Sequence, residues 1–439
     1  MSIPPHHPVD ILRLSTCGSV DDGKSTLIGR LLYDSKALME DQIETLQRSA
    51  DLTGGGQINQ ANLTDGLRAE REQRITIDVA YRYIATRRRR FIIADTPGHV
   101  QYTRNMVTGA SNANLAIVLV DARMGITEQS RRHTCIASLL RIPHLVVAIN
   151  KMDLVDWREE RFIEIQDEFE DFLPRLGIRD VKFIPLSALH GDNVVEASTR
   201  MPWYSGPALL AHLESVHIAS DWNLSELRFP VQWVNRPNRP QDSQWHDFRG
   251  YSGQLAGGVV RVGDTIVVLP GGWRSSIKQI WTLGGPVPEA FCPQSVTLQL
   301  AEDLDVSRGD MIASLDRLPG ANSELVAHVC WLHPRPLQRG RRYHLKHTSR
   351  TVQAVVSNIN NRVDFDTFER QPAPETLGMN DIGEVLLKTA KPLFYDAYDT
   401  NRLTGSFILI EEGTNATVGA GMLLASAELA KPEYGDFAI

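Results

Sequence analysis

The sequence predicts a doubly wound α/β domain with a parallel sheet, followed by two small all-β barrels. Three observations carry that expectation. In roughly the first half, short apolar runs alternate with segments whose apolar residues recur at helical spacing, the pattern of a parallel sheet covered by helices. After about residue 218 the helical periodicity stops, and short β-type runs separated by Gly, Pro and Asn take over, as small barrels require. A chain of 439 residues also exceeds what one hydrophobic core organises. The expected domains are 1–218, 226–323 and 324–430.

The first strand is the alternating run Ile11-Leu12-Arg13-Leu14, and the first helix carries Leu27-Ile28-Gly29-Arg30-Leu31-Leu32. Between them, Gly18-Ser19-Val20-Asp21-Asp22-Gly23-Lys24-Ser25-Thr26 fills every fixed position of G-x-x-x-x-G-K-[ST], in the strand–loop–helix setting that pattern needs. The glycines let the backbone curl so that successive N–H groups converge on phosphate oxygens. The positive end of the following helix adds to that field. Lys24 is expected to bridge the β- and γ-phosphates, and the Ser25 hydroxyl to ligate Mg²⁺.

The polar stretch 49–64, with Gly54-Gly55-Gly56, reads as a loop. Thr76 lies between the phosphate loop and the next acidic motif, where nucleotide switches place their second Mg²⁺ hydroxyl. Two β-type runs, 79–84 and 91–94, are expected to form a hairpin, with Arg87-Arg88-Arg89-Arg90 as its solvated turn. The second hairpin strand ends in Asp95-Thr96-Pro97-Gly98-His99. An Asp at the carboxyl end of a buried strand points into the crevice where α/β sheets bind ligands. Asp95 is expected to hold Mg²⁺ through a water, and the Gly98 N–H to register the γ-phosphate. His99, beside that sensor, is expected to orient or polarise the attacking water.

A helix through 102–113, the buried strand 115–120, another helix and the strand 145–149 follow, ending in Asn150-Lys151-Met152-Asp153. The Asp153 carboxylate can accept from guanine N1–H and the 2-amino group together. Adenine would leave it unpaired, at a cost of roughly 1–3 kcal/mol or more. The strand 183–186 then delivers Ser187-Ala188-Leu189, whose backbone can contact the guanine carbonyl. Four motifs in this order define a GTP-binding and GTP-hydrolysing domain. In the β-rich remainder, runs such as 229–234, 258–262, 264–269, 324–331, 350–356 and 406–410 read as barrel strands, without a constellation of catalytic side chains.

Composition narrows the classes further. The net charge of −7 argues against a general nucleic-acid binder. No apolar run approaches the roughly 20 residues of a membrane span, and the first residues do not read as a signal peptide. Cys17, Cys135, Cys292 and Cys330 lack zinc-site or disulfide-framework spacing. A reducing, cytoplasmic setting is expected, with neither membrane nor nucleic acid as a partner.

Longer stretches extend the motifs. They include Cys17 to Arg30 around the phosphate loop, Ile75-Thr76-Ile77-Asp78-Val79-Ala80-Tyr81-Arg82-Tyr83 and Gln101-Tyr102-Thr103-Arg104-Asn105-Met106. Met201-Pro202-Trp203-Tyr204-Ser205-Gly206-Pro207, Asp247-Phe248-Arg249-Gly250-Tyr251-Ser252-Gly253 and Val418-Gly419-Ala420-Gly421-Met422 continue them. On these residues the chain resembles the translation-factor group of GTPases and, within it, the family of large GTP-hydrolysing subunits of bacterial sulfate adenylyltransferases. The resemblance implies GTP and Mg²⁺ as cofactors and a small ATP- and sulfate-binding catalytic subunit as partner, in a heterodimer or higher assembly. GTP hydrolysis would then drive formation of adenosine 5′-phosphosulfate and diphosphate from ATP and sulfate on that partner. Arg74 departs from the family's Gly before Ile-Thr-Ile-Asp, and 240–246 lengthens a barrel loop. No second phosphate loop appears, so no adenylylsulfate kinase activity is expected. Two alternatives stay open: a translation-factor-like GTPase delivering aminoacyl-tRNA, and a GTP-binding scaffold with impaired hydrolysis.

Overall fold

The computed structural model describes residues 11–19, 21–35, 78–98, 103–178, 180–218, 221–237, 247–365, 367 and 369–425. The chain divides into two compact units, residues 1–218 with 364–369, and residues 219–363 with 370–439.

The first unit is built on a six-stranded sheet. Its strands are β1 (Ile11–Cys17), β2 (Ala80–Ala85), β3 (Arg90–Asp95), β4 (Leu115–Asp121), β5 (His144–Asn150) and β6 (Asp180–Pro185), in the order β2-β3-β1-β4-β5-β6. All neighbours are parallel except the edge strand β2, which forms an antiparallel hairpin with β3. The continuous apolar reading of β4 follows from this topology: every one of its residues is buried, as in a strand covered on both faces. The described helices are α1 (Lys24–Asp34), α2 (Thr103–Ala110), α3 (Glu128–Leu139), α4 (Glu159–Leu176) and α5 (Leu209–Ser215).

Local chemistry sets their ends. Thr127 caps α3 in a reciprocal box with Ser130. α4 starts on Glu159 and Glu160, and stops at Gly177 in the left-handed conformation. Register places Asp95 beside Thr16 and Asn150 beside Asp121, so the polar residues ending β1, β3, β4 and β5 gather at one edge. The arginine turn is not wholly solvated, because Arg89 is buried and donates to the Leu213 and Val216 carbonyls at 2.9 and 2.7 Å. Those carbonyls, at the end of α5, lack intrahelical donors, and the guanidinium supplies them.

The second unit contains two barrels. An eight-stranded antiparallel sheet between Arg228 and Ser314 curls around Phe229, Tyr251, Ile266, Val268 and Leu298. The expected single run 229–234 is two short strands, Arg228–Pro230 and Trp233–Asn235, because the first pairs with Met311–Ala313 and the second with Gly250–Ser252. The lengthened loop at 240–246 lies outside the described residues. The second sheet, from Gly320 to Leu423, closes where strand Arg342–His347 pairs with Arg350–Val363.

A buried ion pair joins these barrels. Arg228 is 1% exposed. Its Nη2 reaches Asp396 at 2.8 Å, its Nε the same carboxylate at 2.9 Å, and its Nη1 the Arg317 carbonyl at 2.8 Å. Thr404 Oγ1 donates to Asp396 Oδ2 at 2.6 Å, and Asn401 Nδ2 reaches the Ala256 carbonyl at 2.8 Å. Removing one member of such a pair strands the other charge in the interior, at about 3–5 kcal/mol. Arg228→Met should therefore lower the urea midpoint of this unit markedly, and adding Asp396→Leu should restore much of the loss. An unchanged midpoint in the single variant would contradict this account of the barrel junction.

Candidate nucleotide site

The phosphate loop connects β1 to α1 at the polar edge of the sheet. Gly23 caps the helix with φ of 92°, and a Cβ there would stand 2.5 Å from Asn150 Nδ2. Only glycine satisfies both the left-handed backbone and the close approach. A Cβ on Gly98 would come within 2.2 Å of the Gly18 carbonyl oxygen and 2.4 Å of Lys24 Nζ. The Asp95–Gly98 segment therefore lies directly against the phosphate loop.

Lys24 is buried, and its ammonium donates to the Gly18 and Ser19 carbonyls at 2.8 and 3.0 Å. Burial pulls its pKa down, opposed first by the Asp95 carboxylate and then by Asp22. Asp22 accepts from the Ser19 N–H, yet burial raises its carboxyl to about 6. The loop thus carries a crowded set of charges in a desolvated place. Ser25 and Thr26, in the first turn of α1, are half-buried. Asp95 and Thr96 are buried, with Pro97 beside them. Thr96 Oγ1 donates to the Thr16 carbonyl at 2.6 Å, fastening the end of β3 to β1. Ser19 Oγ and Thr127 Oγ1 are 3.1 Å apart, linking the loop to the cap of α3.

The base end is assembled by Asn150. Its Nδ2 donates to the Asp22 carbonyl at 2.7 Å, and its Oδ1 accepts from the Ala188 N–H at 2.9 Å. Lys151, with φ of 63°, donates to the Asp21 carbonyl and to Asp121 Oδ2, the latter at 2.9 Å. Met152 and Asp153 open a 3₁₀ turn, Met152–Val155. Asp153 Oδ1 accepts from Ser187 Oγ at 2.6 Å, and His190 Nε2 is 3.9 Å from Asp153 Oδ2. Leu189 is exposed beside this arrangement.

The structure therefore brings Gly18, Ser19, the stretch 21–26, Asp95 to Gly98, Asn150 to Asp153 and Ser187 to Leu189 to one edge. Val20, Thr76 and His99 lie outside the described residues, as does Arg74. Two residues were missed from sequence. Asp121 holds Lys151 and is itself clamped by Arg123 Nε at 3.1 Å and Nη2 at 2.7 Å. Burial alone would raise its carboxyl, but bonds from Arg123 and then Lys151 outweigh it and bring the pKa to about 2. Its signal was available, since it ends an apolar strand as Asp95 and Asn150 do. Arg30 donates to the Ala188 carbonyl at 3.1 Å and also to that of Leu189. Nothing local in the sequence marks it for that contact.

A lysine and a helix N-terminus at one end, and the Asp153 carboxylate beside the Ser187 hydroxyl at the other, suit a guanine nucleotide. Comparison with known proteins agrees. Residues 9–222 match the family described as the elongation factor Tu GTP binding domain, and residues 324–424 match the GTP-eEF1A C-terminal domain-like family. The Saccharomyces cerevisiae Ski7 GTPase-like domain, bound to GDP and inorganic phosphate, superposes with a TM-score of 0.52 at 17% identity, covering 95% of this chain and 98% of that one. The fold and the matched domain define a translation-factor-type GTPase. The chain is 53% identical to sulfate adenylyltransferase subunit 1 of Bacteroides fragilis, over 95% of this chain and 87% of that one. With the Teredinibacter turnerae subunit 1 it shares 51% identity over 99% and 92% of the two chains. With the bifunctional enzyme CysN/CysC of Mycobacterium tuberculosis it shares 55% over 96% of this chain and 68% of that one. It belongs to the sulfate adenylyltransferase subunit 1 family.

Removing the Asn150 amide would leave the Asp22 carbonyl and the Ala188 N–H without their buried partner, at about 1–3 kcal/mol each. Asn150→Ala should weaken GTP and GDP together, by roughly 10²-fold or more, in a fluorescent-nucleotide titration. Unchanged affinity for both would mean that Asn150 does not organise the site.

Proposed function

We propose that this chain binds GTP and hydrolyses it to drive adenylation of sulfate by ATP on a separate small catalytic subunit, giving adenosine 5′-phosphosulfate and diphosphate. The observation that carries the reading is identity of about one half, over nearly the whole chain, to proteins named subunit 1 of sulfate adenylyltransferase. That name implies at least one further subunit. The same relationship favours sulfate adenylation over delivery of aminoacyl-tRNA.

The phosphate loop supplies converging N–H groups, and Lys24 the cation, for the β- and γ-phosphates. Ser25 offers a hydroxyl and Asp95 a carboxylate, the hard oxygen donors that Mg²⁺ takes, with Thr76 as the further hydroxyl. Bound there, Mg²⁺ would neutralise charge on the phosphates. Gly98, packed on the loop, registers the γ-phosphate, and His99 orients the attacking water. Asp153 reads the guanine edge while Asn150 and Lys151 hold its frame. A sulfate–phosphate anhydride forms uphill, so hydrolysis of a second nucleotide supplies the pull. GTP can do this only if its presence changes the relative free energies of two states of the complex.

Asp153→Asn keeps an acceptor for N1–H but turns an amide N–H toward the 2-position, where xanthine carries a carbonyl. In the reconstituted complex this variant should make adenosine 5′-phosphosulfate poorly with GTP and regain it with xanthosine triphosphate. Retained GTP dependence with no response to xanthosine triphosphate would overturn the assignment of the base site to this chain's part in the reaction.

A further inference from the structure

Outside the nucleotide site, the sequence carries one strong charge asymmetry. From Leu325 to Val363 there is no Asp or Glu, yet seven cations occur: Arg335, Arg339, Arg341, Arg342, Lys346, Arg350 and Arg362. With a total net charge of −7, the rest of the chain then carries −14. The structure shows where these cations go. Arg335 pairs with Glu411 and Arg362 with Asp381, while Arg350 lies over the Phe394 ring. Arg339, Arg341, Arg342 and Lys346 make no ion pair among the described residues.

Strand Arg342–His347 explains their grouping. Tyr343, Leu345 and His347 face the barrel core and are buried, so Arg342, His344 and Lys346 face outward, successive ones roughly 7 Å apart. Arg339 and Arg341 flank Gly340 in the preceding turn. The cross-strand neighbours are all uncharged: Val355, Gln353 and Thr351 on one side, Ile410 and Ile408 on the other. Two carboxylates border the column, and both are engaged. Glu411 is engaged by Arg335 and Thr414, and Glu412 faces Gln353 at 3.4 Å. Like charges so spaced repel one another, and among the described residues none of these four cations pairs with a carboxylate.

We infer that this outward face of the C-terminal barrel is a docking surface for an acidic face of a protein partner, the small ATP- and sulfate-binding subunit. The identity of that partner rests on the reading above. Chemistry favours protein over nucleic acid. The half-buried Ile408, Ile410 and Val355 interleave aliphatic area with guanidinium groups, the mixture of a protein interface. Among the described residues no Phe, Tyr or Trp stands outward on these three strands to stack on a base, and His344 is the one outward ring. An acidic protein face would be steered to the column, and the aliphatic rows would then be covered.

The test titrates full-length chain with the purified small subunit at 50 and 300 mM salt. R342E/K346E should weaken association at least tenfold at 50 mM, chiefly through the association rate, and flatten the salt dependence. R342Q/K346Q should lose less. Both should keep native GTP affinity and an unchanged urea midpoint of the second unit, which shows that the barrel still folds. Unchanged partner affinity and salt dependence in R342E/K346E would overturn the inference while leaving the proposed function standing. Loss of binding to a 20-base-pair RNA duplex with partner binding intact would also overturn it, in favour of nucleic acid. Failure of the unaltered chain to bind the small subunit at all would overturn both readings, and so is distinct from either result.

Discussion

The two hydrogen bonds of Asn150 are the constraint on which the nucleotide site depends. Three stretches far apart in sequence must meet there: the phosphate loop, the end of β5 and the loop at Ser187 to Leu189. One carboxamide faces two of them from the third, as donor to Asp22 and acceptor from Ala188. An amide is the group for this task, since a carboxylate would lose the donor and repel the Asp22 carbonyl. Gly23 is tied to the same contact, because its missing Cβ leaves the space that Asn150 Nδ2 occupies.

Around that frame, the site accumulates charge where water is scarce. Lys24 and Asp22 are held away from their usual titration by burial, whereas Asp121 is kept ionised by two cations. The difference lies in partners. Asp121 has a bidentate arginine and a lysine. Asp22 has one backbone N–H, and Lys24 relies on loop carbonyls and on carboxylates that do not fully offset its desolvation. Phosphate oxygens arriving beside Lys24 would favour its charged form, so the loop is arranged for an anionic ligand at some cost to itself. Asp121 serves the opposite end. It fixes Lys151, and with it the turn that carries Asp153.

How much of this was legible depends on how local the signal was. The phosphate loop, Asp95 to Gly98, Asn150 to Asp153 and Ser187 to Leu189 were readable because each is contiguous and sits at a strand's carboxyl end, where the strand itself announces the crevice. The β-strand and helix alternation was equally plain. The missed features are long-range pairs. Arg89 looked like one of four turn arginines, and only the folded chain shows the carbonyls of α5 beneath it. Arg228 and Asp396 are 168 residues apart, and neither has a neighbour that foretells the other. The split of 229–234 follows from a change of pairing partner, which only the folded sheet shows. The cation column has no local signature, because its significance lies in the uncharged residues on the strands beside it.

The central claim is that GTP hydrolysis on this chain moves sulfate adenylation past its own equilibrium. The direct measurement is the final yield of adenosine 5′-phosphosulfate from ATP and sulfate in the reconstituted complex, with GTP, GDP or a non-hydrolysable GTP analogue. A higher yield with GTP alone, rising with the amount of GTP hydrolysed, is the predicted result. Equal yields with all three nucleotides would contradict the account.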